Sequence, residues 1–296
     1  MTTMTLPAYA KINLYLGVTG RYENGYHAVE TVMQAITLHD LVTVSIGAVS
    51  EPAITLTCSA PHVPCDNSNL VWRAAERFFD AAIAQDPAFR RFPVRMHIEK
   101  QIPVAGGLAG GSTDAAAALI VLNRLSGDLL SQDALLSIAA ALGADVPFCV
   151  LANLGYPTAL GLHFGEQMTV LPSLPALHVV VAANGDGCPT PWAYSRVDVL
   201  PPDPENGYIP MIDALTAQDI PGVFSHMYNA FEAAIFPERP QAYACHRTLS
   251  RYADRALLSG SGCAVIGLFS DQNRAEDACA ELRDSSGAAA YLCKTL

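Results

Sequence analysis

Lysine is almost missing from this chain: its 296 residues include only Lys11, Lys100 and Lys294, and Lys and Arg together number 17 against 28 acidic residues. The formal charge is therefore −11, with no basic stripe of the kind that displaces counterions from nucleic acid, so a nucleic-acid binder is excluded. Charged residues make up 15% of the chain against roughly 25% in an average globular protein, while apolar residues reach 51%. That balance excludes disorder. Long apolar runs are also lacking. The longest, Ala115 to Leu122, is far short of the ~18 residues of a membrane span, and no basic-then-apolar leader opens the chain. The eight cysteines include no C-x-x-C pair, so zinc spacing is absent and reduced core thiols are expected. A soluble cytoplasmic protein with no membrane contact follows as the expectation.

The length suggests one large domain or two ordinary ones. Ala10 to Leu16 alternates like a strand, with Ala10, Ile12, Leu14 and Leu16 on one face and Lys11, Asn13 and Tyr15 on the other. Leu41 to Ile46, Ala53 to Cys58 and Val94 to Glu99 also read as strands. Helices are expected over Asn69 to Gln85, Ser112 to Leu125 and Gln132 to Leu142, the last stopped by Gly143. Further on, Leu177 to Ala183, Ala264 to Phe269 and Ala288 to Cys293 read as strands and Arg274 to Arg283 as a helix. Pro189 to Pro210 reads as a proline-rich loop. Strands and helices without strict βαβ alternation indicate an α+β fold. The domains are expected at 1–160 and 161–296.

The most informative stretch is Pro103-Val104-Ala105-Gly106-Gly107-Leu108-Ala109-Gly110-Gly111-Ser112-Thr113. Four glycines allow close backbone approach and positive φ, and the following helix offers unpaired N–H groups and the positive end of its dipole. Together they form an anion site suited to phosphate, with Ser112 and Thr113 adding hydroxyls. It is not a Walker loop: Gly106 and Gly111 have the spacing, but Ser112 stands where the lysine belongs. Nor does any glycine begin the i, i+2, i+5 dinucleotide pattern. A plain glycine-rich turn capping a core helix is the bland alternative.

Asp145, in Leu142-Gly143-Ala144-Asp145-Val146-Pro147, lies just past an expected helix end among apolar neighbours. A carboxylate there needs a hydrogen bond or a charge partner, and so does Lys11 within its apolar strand. Pairing the two would satisfy both and build a proton-handling site, although a turn-forming Asp explains position 145 equally well. Asn24-Gly25-Tyr26-His27 reads as a tight turn followed by an exposed ring and an imidazole. Pro189-Thr190-Pro191-Trp192-Ala193-Tyr194 would hold an aromatic on a stiff segment, for base stacking or for the core.

The loop resembles the central motif of the GHMP kinase superfamily, small-molecule kinases. Pro7 to Leu14, Gly25-Tyr26-His27, Leu142 to Pro147 and Leu258-Ser259-Gly260-Ser261-Gly262-Cys263 resemble further blocks of the superfamily's members that phosphorylate a small alcohol carrying a cytidine diphosphate. The resemblance runs from about Leu6 to Phe269. It implies an N-terminal half like ribosomal protein S5 domain 2, a ferredoxin-like C-terminal half and an active site in the cleft between them. It also implies ATP with Mg²⁺ as donor. Carried over residue by residue, Asp145 is the catalytic carboxylate and Lys11 its partner. Asn13 and Thr190 contact the substrate. Tyr26 and His27 hold the cytidine end, with Tyr194 on the opposite face of the base. Asn69 lies near the adenine and Pro103 to Thr113 hold ATP, with Gly106 to Thr113 on its phosphates. No metal ligand and no oligomer is specified.

The chain departs from some members. Ala105 and Ala109 stand where some carry glycine, and Gly161-Leu162-His163-Phe164-Gly165-Glu166 lacks an arginine that many place before the Gly-Glu pair. Leu154-Gly155-Tyr156-Pro157 is also unusual. A superfamily kinase for homoserine, galactose or a mevalonate is the near rival. A nucleotide-binding protein without catalysis should have lost Lys11 or Asp145, and both are present. An α+β interaction module leaves the four-glycine loop unexplained.

Overall fold

The computed structural model describes residues 2–48, 53–183, 187–199 and 207–296, apart from the side chains of 285 and 286. The chain divides into two compact units that interleave along the sequence. One comprises Met1–Ala10, His39–Ile102 and Ala109–Gly155; the other comprises Lys11–Leu38, Pro103–Leu108 and Tyr156–Leu296. Two long strands, β1 (Thr3–Arg21) and β2 (His27–Ile46), contribute to both. The expected boundary at residues 160 and 161 falls inside a strand of the second unit.

In the first unit, β3 (Ile54–Cys58) runs parallel to β4 (Val94–Glu99). β4 in turn runs antiparallel to the far half of β2, pairing Leu41 with Glu99 and Ile46 with Val94. Four helices complete the unit: α1 (Leu70–Gln85), α2 (Gly110–Leu125), α3 (Gln132–Leu142) and α4 (Val146–Asn153). α1 buries Val71, Ala74, Ala75, Phe78, Phe79 and Ala82, a single helical stripe. α2 is buried continuously from Thr113 to Asn123, as a helix that is apolar all round must be. Its alanines at 115 to 118 are small enough for α1 and α4 to pack closely on it.

The second unit holds β5 (Thr158–Leu162) and β6 (Gln167–Val170), a hairpin whose first strand pairs with β2 at Thr31 to Gln34. Then follow β7 (His178–Ala183), α5 (Thr190–Val197), α6 (Ile209–Ala217), α7 (Ile220–His226), β8 (Tyr228–Asn229) and α8 (Glu232–Ile235). The chain closes with α9 (Pro240–Leu249), β9 (Arg255–Leu258), β10 (Val265–Phe269), α10 (Gln272–Ser286) and β11 (Ala289–Lys294). The antiparallel order β11-β7-β10-β9, with α9 and α10 packed on the sheet, is the ferredoxin-like β-α-β-β-α-β arrangement. Phe231, Ile235, Leu249, Phe269 and Leu282 fill its core. The α+β expectation holds.

Several elements differ from the sequence expectation for physical reasons. The run from Ala10 to Gly17 of β1 is buried throughout, so alternation does not separate a wet face from a dry one. α2 starts at Gly110, two residues before the expected Ser112, so two of the loop's glycines belong to its first turn. The segment expected as a loop from Pro189 contains α5 and the start of α6, each with proline in its first turn, where a missing N–H costs nothing. Its residues 200–206 lie outside the described residues. Asp145 is not simply past a helix end: it is the N-cap position of α4, with Pro147 again in the first turn.

Candidate active site

Within the second unit, the loop Pro103–Leu108 is built against the C-terminal glycine motif. Gly107 has φ +78, and a Cβ there would lie 2.1 Å from the carbonyl oxygen of Ser259. A Cβ on Gly262 would in turn lie 2.5 Å from the nitrogen of Gly107. The two backbones interlock because neither carries a side chain at the crossing. Ser259 Oγ donates to the Gly107 carbonyl at 3.3 Å, Ala264 N–H to that of Gly106 at 3.3 Å, and Lys11 N–H to that of Leu108 at 3.2 Å. Leu108 is buried, whereas Val104 and Ala105 are exposed at the loop's rim. Ala105 and Ala109 adopt φ 59 and 60, left-handed backbone that disfavours a Cβ.

In the first unit, the start of α2 has Ala109 as its N-cap, with no side-chain cap. The first-turn N–H groups of Gly110, Gly111 and Ser112 have no acceptor within the helix, which makes this end an anion site. Thr113 is engaged differently from Gly110, Gly111 and Ser112. Its N–H already donates to Ala109 O, and its buried hydroxyl donates to the Tyr9 carbonyl at 2.7 Å. That bond anchors the start of α2 to β1. Asn69 is the N-cap of α1, accepting from Val71 N–H at 2.8 Å and donating to Pro64 O at 2.7 Å. One amide hydrogen and one lone pair at most remain for a base.

Lys11, 4% exposed, is the head of a buried polar chain in the second unit. Its Nζ donates to Asn13 Oδ1 at 2.9 Å, Asn13 Nδ2 donates to Thr31 Oγ1 at 2.7 Å, and Thr31 Oγ1 donates to the Tyr15 carbonyl at 2.9 Å. A Cβ built on Gly260 would lie 3.4 Å from Lys11 Nζ, so the ammonium adjoins the interlocked glycines. Asn229 supports the same motif from below, donating to Leu258 O at 2.8 Å and Gly260 O at 2.9 Å. Asp145, in the first unit, is half-buried and its carboxylate does not cap α4.

The aromatic residues gather at another part of the second unit. The turn at Gly25, φ +86, leaves Tyr26 64% exposed, with its ring 5.1 Å from that of Phe164. His27 stacks directly on Tyr194 at 4.4 Å, and its Nε2 lies 2.6 Å from Asp198 Oδ1. That spacing holds two rings in contact and leaves no slot for a third between them. Tyr194 also meets Phe231 edge-on at 4.9 Å. Thr190 Oγ1 lies 3.5 Å from Ser261 Oγ of the glycine motif. The guanidinium groups of Arg196 and Arg239 lie 5.4 and 4.7 Å from the centre of the Trp192 ring, which packs against the core. Glu166, without the arginine expected before it, is held by His163 Nδ1 at 2.5 Å and by the Phe164 N–H at 2.9 Å.

One charged cluster was missed by the sequence reading. Lys100 donates to Asp40 and, at 2.9 Å, to Asp114 of α2, all three nearly inaccessible. Burial pushes the Lys100 ammonium down, but Asp114 and Asp40 outweigh it and the net shift is upward. Burial pushes the Asp114 carboxyl up to about 7, with Lys100 opposing and Asp40 adding to the rise; Cys58 of β3 is the other titratable group facing the cluster. Because the folded state holds this proton more tightly than the unfolded chain, the associated stability is present below about pH 4 and is lost as pH rises through about 7. Asp114→Asn removes that loss. Its Tm should therefore gain on the wild type as pH rises from about 4 to about 7, and parallel Tm curves across that window would count against the assignment.

Among the described residues no group of three or more His, Cys, Asp or Glu is placed to hold a metal ion, and no helix is long and apolar enough to cross a membrane. Residues 69–153 match the GHMP kinases N terminal domain. Fold and loop thus define a GHMP-type small-molecule kinase. A homoserine kinase structure from Cytophaga hutchinsonii, 15% identical, shares the fold over 100% of this chain and 95% of its own, with a TM-score of 0.75. The chain is 38% identical to a 4-diphosphocytidyl-2-C-methyl-D-erythritol kinase of Gloeobacter violaceus, over 100% of this chain and 95% of that one. A crystal structure of 4-(cytidine 5'-diphospho)-2C-methyl-D-erythritol kinase, 31% identical, covers 99% of both chains with a TM-score of 0.77. The chain belongs to the 4-diphosphocytidyl-2-C-methyl-D-erythritol kinase family.

Proposed function

We infer that the protein transfers the γ-phosphoryl group of ATP to the 2-hydroxyl of 4-diphosphocytidyl-2-C-methyl-D-erythritol, giving the 2-phosphate and ADP. This is a cytoplasmic step of non-mevalonate isoprenoid precursor synthesis. The observation that carries the reading is 38% identity over the whole chain to a kinase of that name. The interlocked glycine motifs and the buried Lys11 support it.

The N–H groups at the start of α2 and of the preceding loop receive the ATP phosphates. Mg²⁺ bound to the ATP phosphates would offset their charge there. Phosphoryl transfer passes through a loose transition state, so positioning and charge neutralisation matter more than early proton removal. Asp145 accepts a hydrogen bond from the substrate hydroxyl, orients it, and takes its proton as the new P–O bond forms and the bond to ADP breaks. Lys11, held in place by Asn13, balances the charge on the transferring group. Asn13 meets the substrate with what its bonds to Lys11 and Thr31 leave, and Thr190 contacts it from α5. Tyr26, exposed beside Phe164, and His27 hold the cytidine end, and Tyr194 backs His27 through their stack instead of forming the far wall of a slot. Adenine takes the remaining capacity of Asn69.

The test is ADP release from ATP and Mg²⁺ with the cytidylyl substrate, run beside homoserine, galactose and mevalonate. Turnover with the first alone is expected. Turnover with another acceptor would keep the kinase and remove the cytosine site, and ATP binding without any turnover would leave a non-catalytic protein.

A further inference from the structure

We propose that Asp40, Lys100 and Asp114 form a buried tie that closes the base of the phosphate loop and thereby positions the donor phosphates. The proposal rests on the kinase reading above. Lys100 ends the segment leading out of β4, two residues before the loop's buried neighbour Ile102. Asp40 Oδ1 accepts the N–H groups of Gln101 at 2.5 Å and Ile102 at 2.8 Å, so the chain entering the loop is fixed to β2. Lys100 N–H is also anchored, donating to Ser59 Oγ at 2.9 Å. At the other end, Lys100 Nζ donates to Asp114, which stands just past the first turn of α2. Entry and exit of the loop are thus joined through a single ammonium.

Two further observations favour a tie that serves the helix start over one that merely fills space. A Cβ on Gly110, the first residue of α2, would lie 3.0 Å from Lys100 Nζ, so the ammonium lies directly against the first turn. Asp114 Oδ1 is buried with no hydrogen-bond partner, while its other oxygen takes the ammonium. A second carboxylate with an unsatisfied oxygen beside a single lysine costs stability, and a packed apolar residue would avoid that cost. What Asp114 provides in return is a directional bond that sets α2 against the loop entry. Tying the loop ends fixes where the first-turn N–H groups point, and misplacement by about 1 Å can cost 10²-fold. Asp40, Lys100 and Asp114 touch no substrate in this account; they are positioning residues.

The test compares Asp114→Ala with Asp114→Asn in the full-length protein, reading KM for ATP, KM for the cytidylyl substrate, kcat and Kd for ATP by calorimetry. Alanine removes the tie but leaves the Lys100–Asp40 pair balanced, so the fold should persist. It should raise KM and Kd for ATP by roughly tenfold or more while KM for the alcohol substrate stays unchanged. Asparagine keeps an acceptor for Lys100 and should restore ATP binding nearly to the wild-type value. Asp114→Ser, too short to reach the ammonium but able to hold a water in the vacated space, serves if the alanine variant does not fold. Unchanged ATP constants in the alanine or serine variant would overturn the proposal, as would a soluble asparagine variant beside two insoluble ones, which would make the cluster a folding element only. Failure of the wild type to bind ATP would instead overturn the kinase reading.

Discussion

Asp145→Asn should lower kcat by roughly 10²–10⁴-fold and leave ATP affinity unchanged. Asp145 is the N-cap position of α4, half-buried, and its carboxylate makes no capping bond. Asparagine has nearly the same size and serves equally well at an N-cap, so the helix loses nothing by the exchange. Only the negative charge and its second acceptor oxygen disappear. A fold that is unchanged by thermal melting, combined with a collapse in turnover, would therefore isolate the charge as the lost element. In a loose transition state the carboxylate's main task is to hold the hydroxyl in line, and a neutral amide can present its N–H side and hold it wrongly. An unchanged kcat would sink the assignment of Asp145, and a loss confined to KM for ATP would move the residue to the nucleotide end.

β4 and α3 are legible residue for residue because each has a clean period and a clear stop: Glu99 closes an alternating run, and Gly143 ends a helix capped by Ser131. Helix starts are harder wherever glycine or proline carries them. Gly110 and Gly111 read as loop because of their composition, yet they form the first turn of α2; Pro191 and Pro210 read as breakers, yet they open α5 and α6. Both glycine motifs were visible as motifs, but their interlocking was not. Nothing in one dimension shows that Gly107 must meet Ser259, some 150 residues away, without a side chain between them. The Lys100 cluster had a signal, since one of three lysines adjoins the loop and Asp114 follows it directly. Asp40, the partner that completes the cluster, lies in the part of β2 before Leu41, outside the run that reads as a strand. Asp198, which holds His27, has no sequence signal at all, because a lone acidic residue in a polar segment is ordinary.

Gly107→Ala should abolish productive ATP binding, with a loss in kcat/KM of at least about 10²-fold. Two costs combine at this position and can be separated. The first is conformational: φ +78 is left-handed backbone, which a Cβ disfavours by about 1–2 kcal/mol. The second is steric: the added carbon would lie 2.1 Å from Ser259 O and 3.0 Å from Gly262 N, both backbone atoms that no rotamer change can clear. Relief requires the loop and the C-terminal motif to move apart. That would disturb the bonds from Ser259 Oγ to Gly107 O and from Lys11 N–H to Leu108 O, and with them the surroundings of the Lys11 ammonium. Gly127→Ala is the matched control, because Gly127 has φ +75 with nothing near its Cβ position. It should lose stability by about the conformational cost alone and keep ATP binding and turnover intact. If the two variants lose the same stability and both still bind ATP, the interlock contributes nothing beyond backbone strain. If only Gly107→Ala loses nucleotide binding, the contact between the two glycine motifs is what holds the phosphate loop in its working shape.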